Sequence, residues 1–350
     1  MTKTHIAYFD TLKGIAILLM LIGHCLAWNY QDYVTIIVDG RRSDMFWWHL
    51  IYSFHMPLFF WISGYFLPRD SFNFNDLKGV LWRRTYTLLV PFACSGTLMS
   101  LLLGNWGGDI YLWFLRALYE ISVLALLYEF VRCRFHLGLK SDIVFYVVLY
   151  VAIKEVYKST INTPLDDVLH IESITGGNYI GFVFGVFCKR YNKLIKILDT
   201  NLAYTICLIL FAILSCAYFQ NLSDNCKFWS LISRLTPISA IVCILYLTKY
   251  KINQETRLAH LLNYLGKFSL EIYIIHFLFN FRVFMITDYA MEMIHSDNSR
   301  DFLWGHTFML LTSILISIVM IILSLLVIHV IRTSNILSVL LLGRKNVQIA

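Results

Sequence analysis

The sequence predicts an all-α protein that crosses a membrane about ten times around a central pore or chamber. Three observations carry that prediction. The 350 residues are 58% hydrophobic and only 15% charged, whereas a soluble globular chain carries about 25% charged residues. Mean hydropathy is +0.65. Apolar runs recur along the whole chain that are long enough to cross a hydrocarbon core of about 30 Å, which takes roughly 17 to 25 helical residues. With 26 Phe, 21 Tyr and 9 Trp there is ample material for aromatic belts at both bilayer surfaces. The apolar content excludes a disordered chain, and no internal period suggests a repeat protein.

Ten runs fit the template, near 12–28, 47–67, 80–103, 110–131, 143–157, 174–188, 202–219, 231–249, 266–285 and 302–331. Asp10 and Lys13 sit at the start of the first run and no small-x-small cleavage site follows it, so it reads as a helix and not as a signal peptide. The second holds Pro57, which removes a helical donor, and Gly64; a bend around a cavity is expected there. The fifth and sixth are short, and the sixth carries Gly176, Gly177, Gly181 and Gly185, which suits a tilted, re-entrant or partly spanning course. The layout expected is one transmembrane domain over 1–350, with no soluble domain in the short tail after residue 331.

Orientation follows from the cations between the runs. Of the 29 Lys and Arg, 18 fall on the side of the N-terminus and six on the other. Short cytoplasmic loops collect positive charge, so both termini are expected in the cytoplasm. This asymmetry accounts for the net charge of +7 without nucleic acid, and the partner implied is the lipid bilayer. The eight cysteines contain no C-x-x-C pair and mostly lie inside apolar runs. They read as small core residues and not as metal ligands or a disulfide set.

Ionisable groups inside the apolar runs are costly and are functional candidates by default. Lys13 and His24 are eleven residues apart on the first helix, which places them about 16 Å apart on nearly the same face. A cation thus sits at the cytoplasmic mouth with a histidine deep above it. Counting residues from the run ends puts His24, His55, Glu120 and His276 in a common mid-membrane layer. Asp10 is too far along the helix to orient His24 and instead suits Lys13 at i, i+3.

These residues carry a resemblance. Phe9-Asp10 through Lys13-Gly14-Ile15-Ala16 to Gly23-His24, then Phe54-His55-Met56-Pro57-Leu58-Phe59-Phe60 with Ser63-Gly64-Tyr65, resembles the acyltransferase-3 superfamily of integral-membrane O-acyltransferases. Within it, the likeness is to the stand-alone bacterial branch of fucose 4-O-acetylase-like proteins. Weaker matches are Trp113-Phe114-Leu115, and Gly266-Lys267 with Ser269, Tyr273 and His276. The family's frequent R-x-x-R before the third-helix proline is met only at its first position, by Arg84, because Thr87 occupies the second; Arg83 or Lys78 are the expected substitutes.

The resemblance implies an O-acetyltransferase of the bacterial inner membrane. It would move an acetyl or other acyl group from cytoplasmic acetyl-CoA to a hydroxyl of a cell-surface or lipid-linked glycan, alongside other cell-envelope glycan biosynthesis proteins. Lys13, Arg83 and Arg84 would hold the donor phosphates. His24 would serve as general base with His55 beside it, while Trp113, Ser63, Tyr273 and His276 would contact substrate; the depth count, and not the resemblance, makes Glu120 the candidate to orient the His24 ring. No metal is expected. The alternative from residues alone is a transporter or flippase with a mid-membrane His/Glu site, although no inverted repeat relates the two halves.

Overall fold

The computed structural model describes residues 7–30, 46–103, 109–161, 163, 171–219, 229–279, 284–294 and 298–344. Lys3, Arg41, Arg42, Lys227, Lys345 and Cys226, which entered the orientation and cysteine readings, lie outside them. Every described element is helical: α1 Ala7–Asn29, α2 Phe46–Tyr52, α3 His55–Tyr65, α4 Phe74–Arg84, a π turn Thr85–Leu89, α5 Val90–Leu103, α6 Asp109–Phe135 and α7 Leu139–Thr160. A 3-10 turn Ile171–Ile174 precedes α8 Gly176–Arg190, α9 Asn192–Leu198, α10 Asn201–Phe219, α11 Trp229–Tyr246 and a second π turn Leu247–Lys251. The chain continues through α12 Arg257–Lys267, α13 Ser269–Ile275, a 3-10 turn His276–Phe279, α14 Phe284–Ile294, α15 Ser299–Ile331 and α16 Asn335–Leu342.

The apolar runs therefore become fewer unbroken helices than ten. Among the described residues Tyr8–Asn29, Phe74–Leu102, Leu231–Lys251 and Ser299–Ile331 are each long and apolar enough to cross a bilayer alone, and the pair Asn192–Leu198 and Asn201–Cys216, bent by 72°, makes a fifth. The second run is split at Ser53 and Phe54, four and three residues ahead of Pro57, whose missing N–H leaves the Ser53 carbonyl without its helical donor. Pro91 acts similarly but more gently. The widened turn Thr85–Leu89 precedes it, and Val90 N–H reaches back to the Thr85 carbonyl, so the span continues through the disruption. The ninth run breaks at Phe268, where φ is −97° and ψ is 3°.

The described residues form two compact units, 1–59 with 196–327 and 60–195 with 328–350. In the first, α1 packs against α12 through two glycines. A Cβ on Gly14 would collide with the Leu262 carbonyl, and one on Gly266 with the Asp10 carbonyl. Because 10 pairs with 266 and 14 with 262, the helices run in opposite senses, in the small-residue manner that lets membrane helices approach closely. Thr11 Oγ1 lies 2.7 Å from Asn263 and 2.8 Å from Gln254, adding a polar tie at the same level. Toward the other end of α1, Ile22, Leu26 and Tyr30 join Ile51, Ala290, Met291, Ile294 and Met309 in a buried apolar cluster.

In the second unit the same device recurs. Gly64 of α3 meets the Phe182 backbone of α8, and Gly185 meets that of Trp61. Gly343 ends α16 at φ 65°, a left-handed cap that glycine adopts without strain, and Ser95 donates to the Leu341 carbonyl at 2.8 Å, docking α16 on α5. A buried ionic network ties α6, α7 and α8. Arg190 pairs with Glu129 and, at 2.7 Å, with Asp142, which also accepts from Tyr128 at 2.7 Å and Tyr191 at 2.5 Å. Burial pushes the Asp142 carboxyl up, but the two tyrosine hydroxyls and the Arg190 charge outweigh it and hold it below the usual carboxylate range.

Gly14→Ala and Gly266→Ala each place a methyl against a carbonyl that belongs to helix backbone and cannot rotate away. Each is expected to cost about 3 kcal/mol or more, read as loss of monodisperse protein in detergent gel filtration. Gly79→Ala, where a Cβ meets nothing within 4 Å, should behave as wild type.

Candidate functional site

The first unit gathers three of the histidines expected to matter. His24 projects from α1, and its ring centroid lies 5.0 Å from that of His276, edge to face at 88°. Tyr52 stands between His24 and His55, with ring centroids 6.1 Å and 4.7 Å away respectively. Phe277 closes on His24 at 5.1 Å. His276 reaches this place because α12 runs down α1 in the opposite sense, the chain turns at Phe268, and α13 climbs back alongside α1.

Hydrogen bonding fixes the chemistry of two rings. His55 Nδ1 is 2.8 Å from the Ile51 carbonyl, and His276 Nδ1 is 2.7 Å from the Tyr273 carbonyl. A carbonyl only accepts, so each Nδ1 carries the proton and each neutral ring has its lone pair on Nε2. Both Nε2 atoms are buried with no hydrogen-bond partner among the described residues. His55 and His276 are closed off, at 1% and 0% exposure, whereas His24 is not fully enclosed.

Lower on α1, Lys13 pairs with Asp10 at 2.6 Å and remains partly exposed, as the i, i+3 spacing predicts. Tyr273 is buried, contributes its carbonyl to His276, and its ring lies 5.9 Å from the imidazole, tilted at 42°.

The second unit holds the remaining expected residues. Arg84 is half-buried and donates from Nη1 to Ser63 Oγ at 3.0 Å, so Ser63 anchors this cation. Arg69 lies within electrostatic reach of Arg84, while Arg83 and Lys78 are exposed. Glu120 pairs with Arg116 one turn earlier on α6, Nε to Oε1 at 3.5 Å, and Trp113 is half-buried against Phe114 at 6.3 Å. Sequence reasoning missed Tyr52, Arg69 and Arg116. Arg116 carried a readable signal, being a lone cation within an apolar run four residues before Glu120.

Fold and cluster together define a helical membrane protein with a buried polar centre, which is the class for which comparison with known proteins is informative. The family described as an acyltransferase domain matches residues 6–332. The chain belongs to this family, the acyltransferase-3 superfamily. Over 93 residues it is 44% identical to nodulation protein NolL of Sinorhizobium fredii (strain NBRC 101917 / NGR234), covering 25% of this chain and 23% of the relative. It is 39% identical over 93 residues to nodulation protein NolL of Mesorhizobium japonicum (strain LMG 29417 / CECT 9101 / MAFF 303099), covering 25% and 22%. The match therefore spans about a quarter of these relatives' length. No solved structure matches the chain.

Asparagine places an amide N–H where histidine has Nδ1 but has no atom at Nε2. His276→Asn and His55→Asn should therefore keep the backbone bond and the fold while removing the lone pair. Each should lower acyl transfer by about a hundredfold or more, with gel filtration unchanged. A variant with normal turnover would show that its Nε2 takes no part.

Proposed function

We propose that the protein is an O-acetyltransferase of the bacterial inner membrane, with both termini cytoplasmic, that transfers an acetyl group from acetyl-CoA to a hydroxyl of a cell-surface or lipid-linked glycan. The observation that carries this reading is the arrangement on α1. A partly exposed cation at one end and a partly exposed histidine eleven residues on are separated by about 16 Å, a span that a thin pantetheine arm can bridge. Family membership supports the acyl transfer; the donor and acceptor are inferred from this geometry and from the polar groups around it.

In this reading Lys13 contacts donor phosphate as a point charge; within the second unit Arg84, anchored by Ser63, and Arg83 are the guanidinium candidates for donor phosphate. His24 takes the proton of the acceptor hydroxyl as its oxygen attacks the thioester carbonyl. The C–O bond forms, the C–S bond breaks, and the imidazolium returns the proton to the departing thiolate, so charge and atoms balance. Within the same unit, His276, whose ring centroid lies 5.0 Å from that of His24, is the candidate to orient it. Glu120, assigned that task from depth alone, is paired with Arg116. Trp113, Ser63 and Tyr273 remain candidates for substrate contact.

Purified protein in detergent should release free thiol from acetyl-CoA without any gradient, which a transporter would not do. His24→Ala should abolish release while the protein stays inserted and monodisperse. Release should fall toward acid, because a protonated imidazole cannot accept the hydroxyl proton. Lys13→Ala and Arg84→Ala should each raise the donor KM about ten- to a hundredfold, the equivalent of losing a charged hydrogen bond, with Lys13→Arg tolerated. Full thiol release by His24→Ala would remove the proposed base.

A further inference from the structure

We infer that the outer face of α12 is a binding surface for anionic phospholipid headgroups, seated at the level where α1 enters the bilayer. The level is set by the glycine contacts. Gly266 lies against Asp10 and Leu262 against Gly14, so α12 rides on the first two turns of a span that begins at Tyr8. The second π turn, which ends the span Leu231–Lys251, leads into α12, and Gln254 between them contacts Thr11. Two span ends and α12 therefore share one membrane boundary.

The face itself has the composition of an interfacial helix. At 100° per residue, Ala259, Leu262, Leu265 and Gly266 fall within about 120° of one another and are buried. The other side is open and divides lengthwise. Leu261, 55% exposed, forms its apolar edge, joined by Leu258, 60% exposed, in the first turn of the helix. His260, Tyr264 and Lys267 form its polar edge, with Arg257 between the two, and all four are exposed. Lys251 is exposed just ahead of them. Acid on this stretch is limited to Glu255, with Asp10 engaged by Lys13 and Asp199 by Lys249. Leucines on one edge and cations on the other suit acyl chains and phosphate headgroups side by side, and positive charge here complements an anionic leaflet. Because α12 is locked to α1 backbone to backbone, a lipid held on α12 also fixes the depth of Lys13.

The test uses the full-length protein offered equal amounts of phosphatidylglycerol and phosphatidylcholine, with retained lipids counted by native mass spectrometry. Wild type should retain phosphatidylglycerol at least fivefold over phosphatidylcholine. Since each cation near an anionic surface contributes roughly fivefold, Lys251→Gln with Arg257→Gln should erase that preference. Lys154→Gln with Lys158→Gln, on another helix, should leave it intact. Leu258→Ala with Leu261→Ala should reduce retention of both lipids. An unchanged preference in the Lys251/Arg257 variant, or equal loss in the Lys154/Lys158 variant, would overturn the assignment. So would a leucine variant that keeps its lipids but turns a dimer into a monomer, since a second copy of the chain would then cover this face.

Discussion

The close approach of α1 and α12 sets the geometry of everything described in the first unit. It depends on two hydrogen atoms standing where side chains would be, at Gly14 and Gly266, each against the other helix's backbone. Lipid tails are as apolar as leucine, so burial alone does not press membrane helices together; close packing and polar ties must do it. Here the packing is backbone on backbone, and Thr11 with Asn263 and Gln254 supplies the polar tie. With α12 fixed in this sense, the turn at Phe268 sends α13 back along α1 and delivers His276 to His24.

That delivery matters because α1 acts as a ruler. A straight helix fixes the rise and the angle between Lys13 and His24, and α12 and α13 fasten to it at both of those levels. The histidines respond in different ways. His55 and His276 commit Nδ1 to local carbonyls and bury Nε2, which holds their rings and keeps their lone pairs available. His24 stays partly open. In the proposed function, this cluster of two anchored rings and one more open ring moves the proton of the attacking hydroxyl.

What could be read from the sequence was whatever one helix determines by itself. The Lys13 to His24 register, the Asp10 to Lys13 pair and the disruptions near Pro57 and Pro91 all follow from local geometry. The break at Phe268 does not, because hydropathy continues through Ser269–Phe279 and a turn between two apolar helices leaves no trace in it. For the same reason the glycine contacts were invisible: Gly14 and Gly266 are separated by most of the chain, and only the paired helices reveal their purpose. Glu120 illustrates another limit: depth counted from a run end placed it in a layer with the histidines, but gave no sign of its pairing with Arg116 four residues earlier on the same helix. The tie between Ser63 and the Arg84 guanidinium likewise joins residues 21 apart and had no signal in the sequence.

In the proposed function the donor lies along α1, with phosphate at Lys13 and the acyl group at His24. A cryo-electron microscopy map of the protein bound to a thioether analogue of acetyl-CoA should then show continuous density along α1, with phosphate beside the Lys13 ammonium and the thioether sulfur beside the His24 ring. An analogue bound away from α1, or bound there with its sulfur at the Lys13 end, would contradict it.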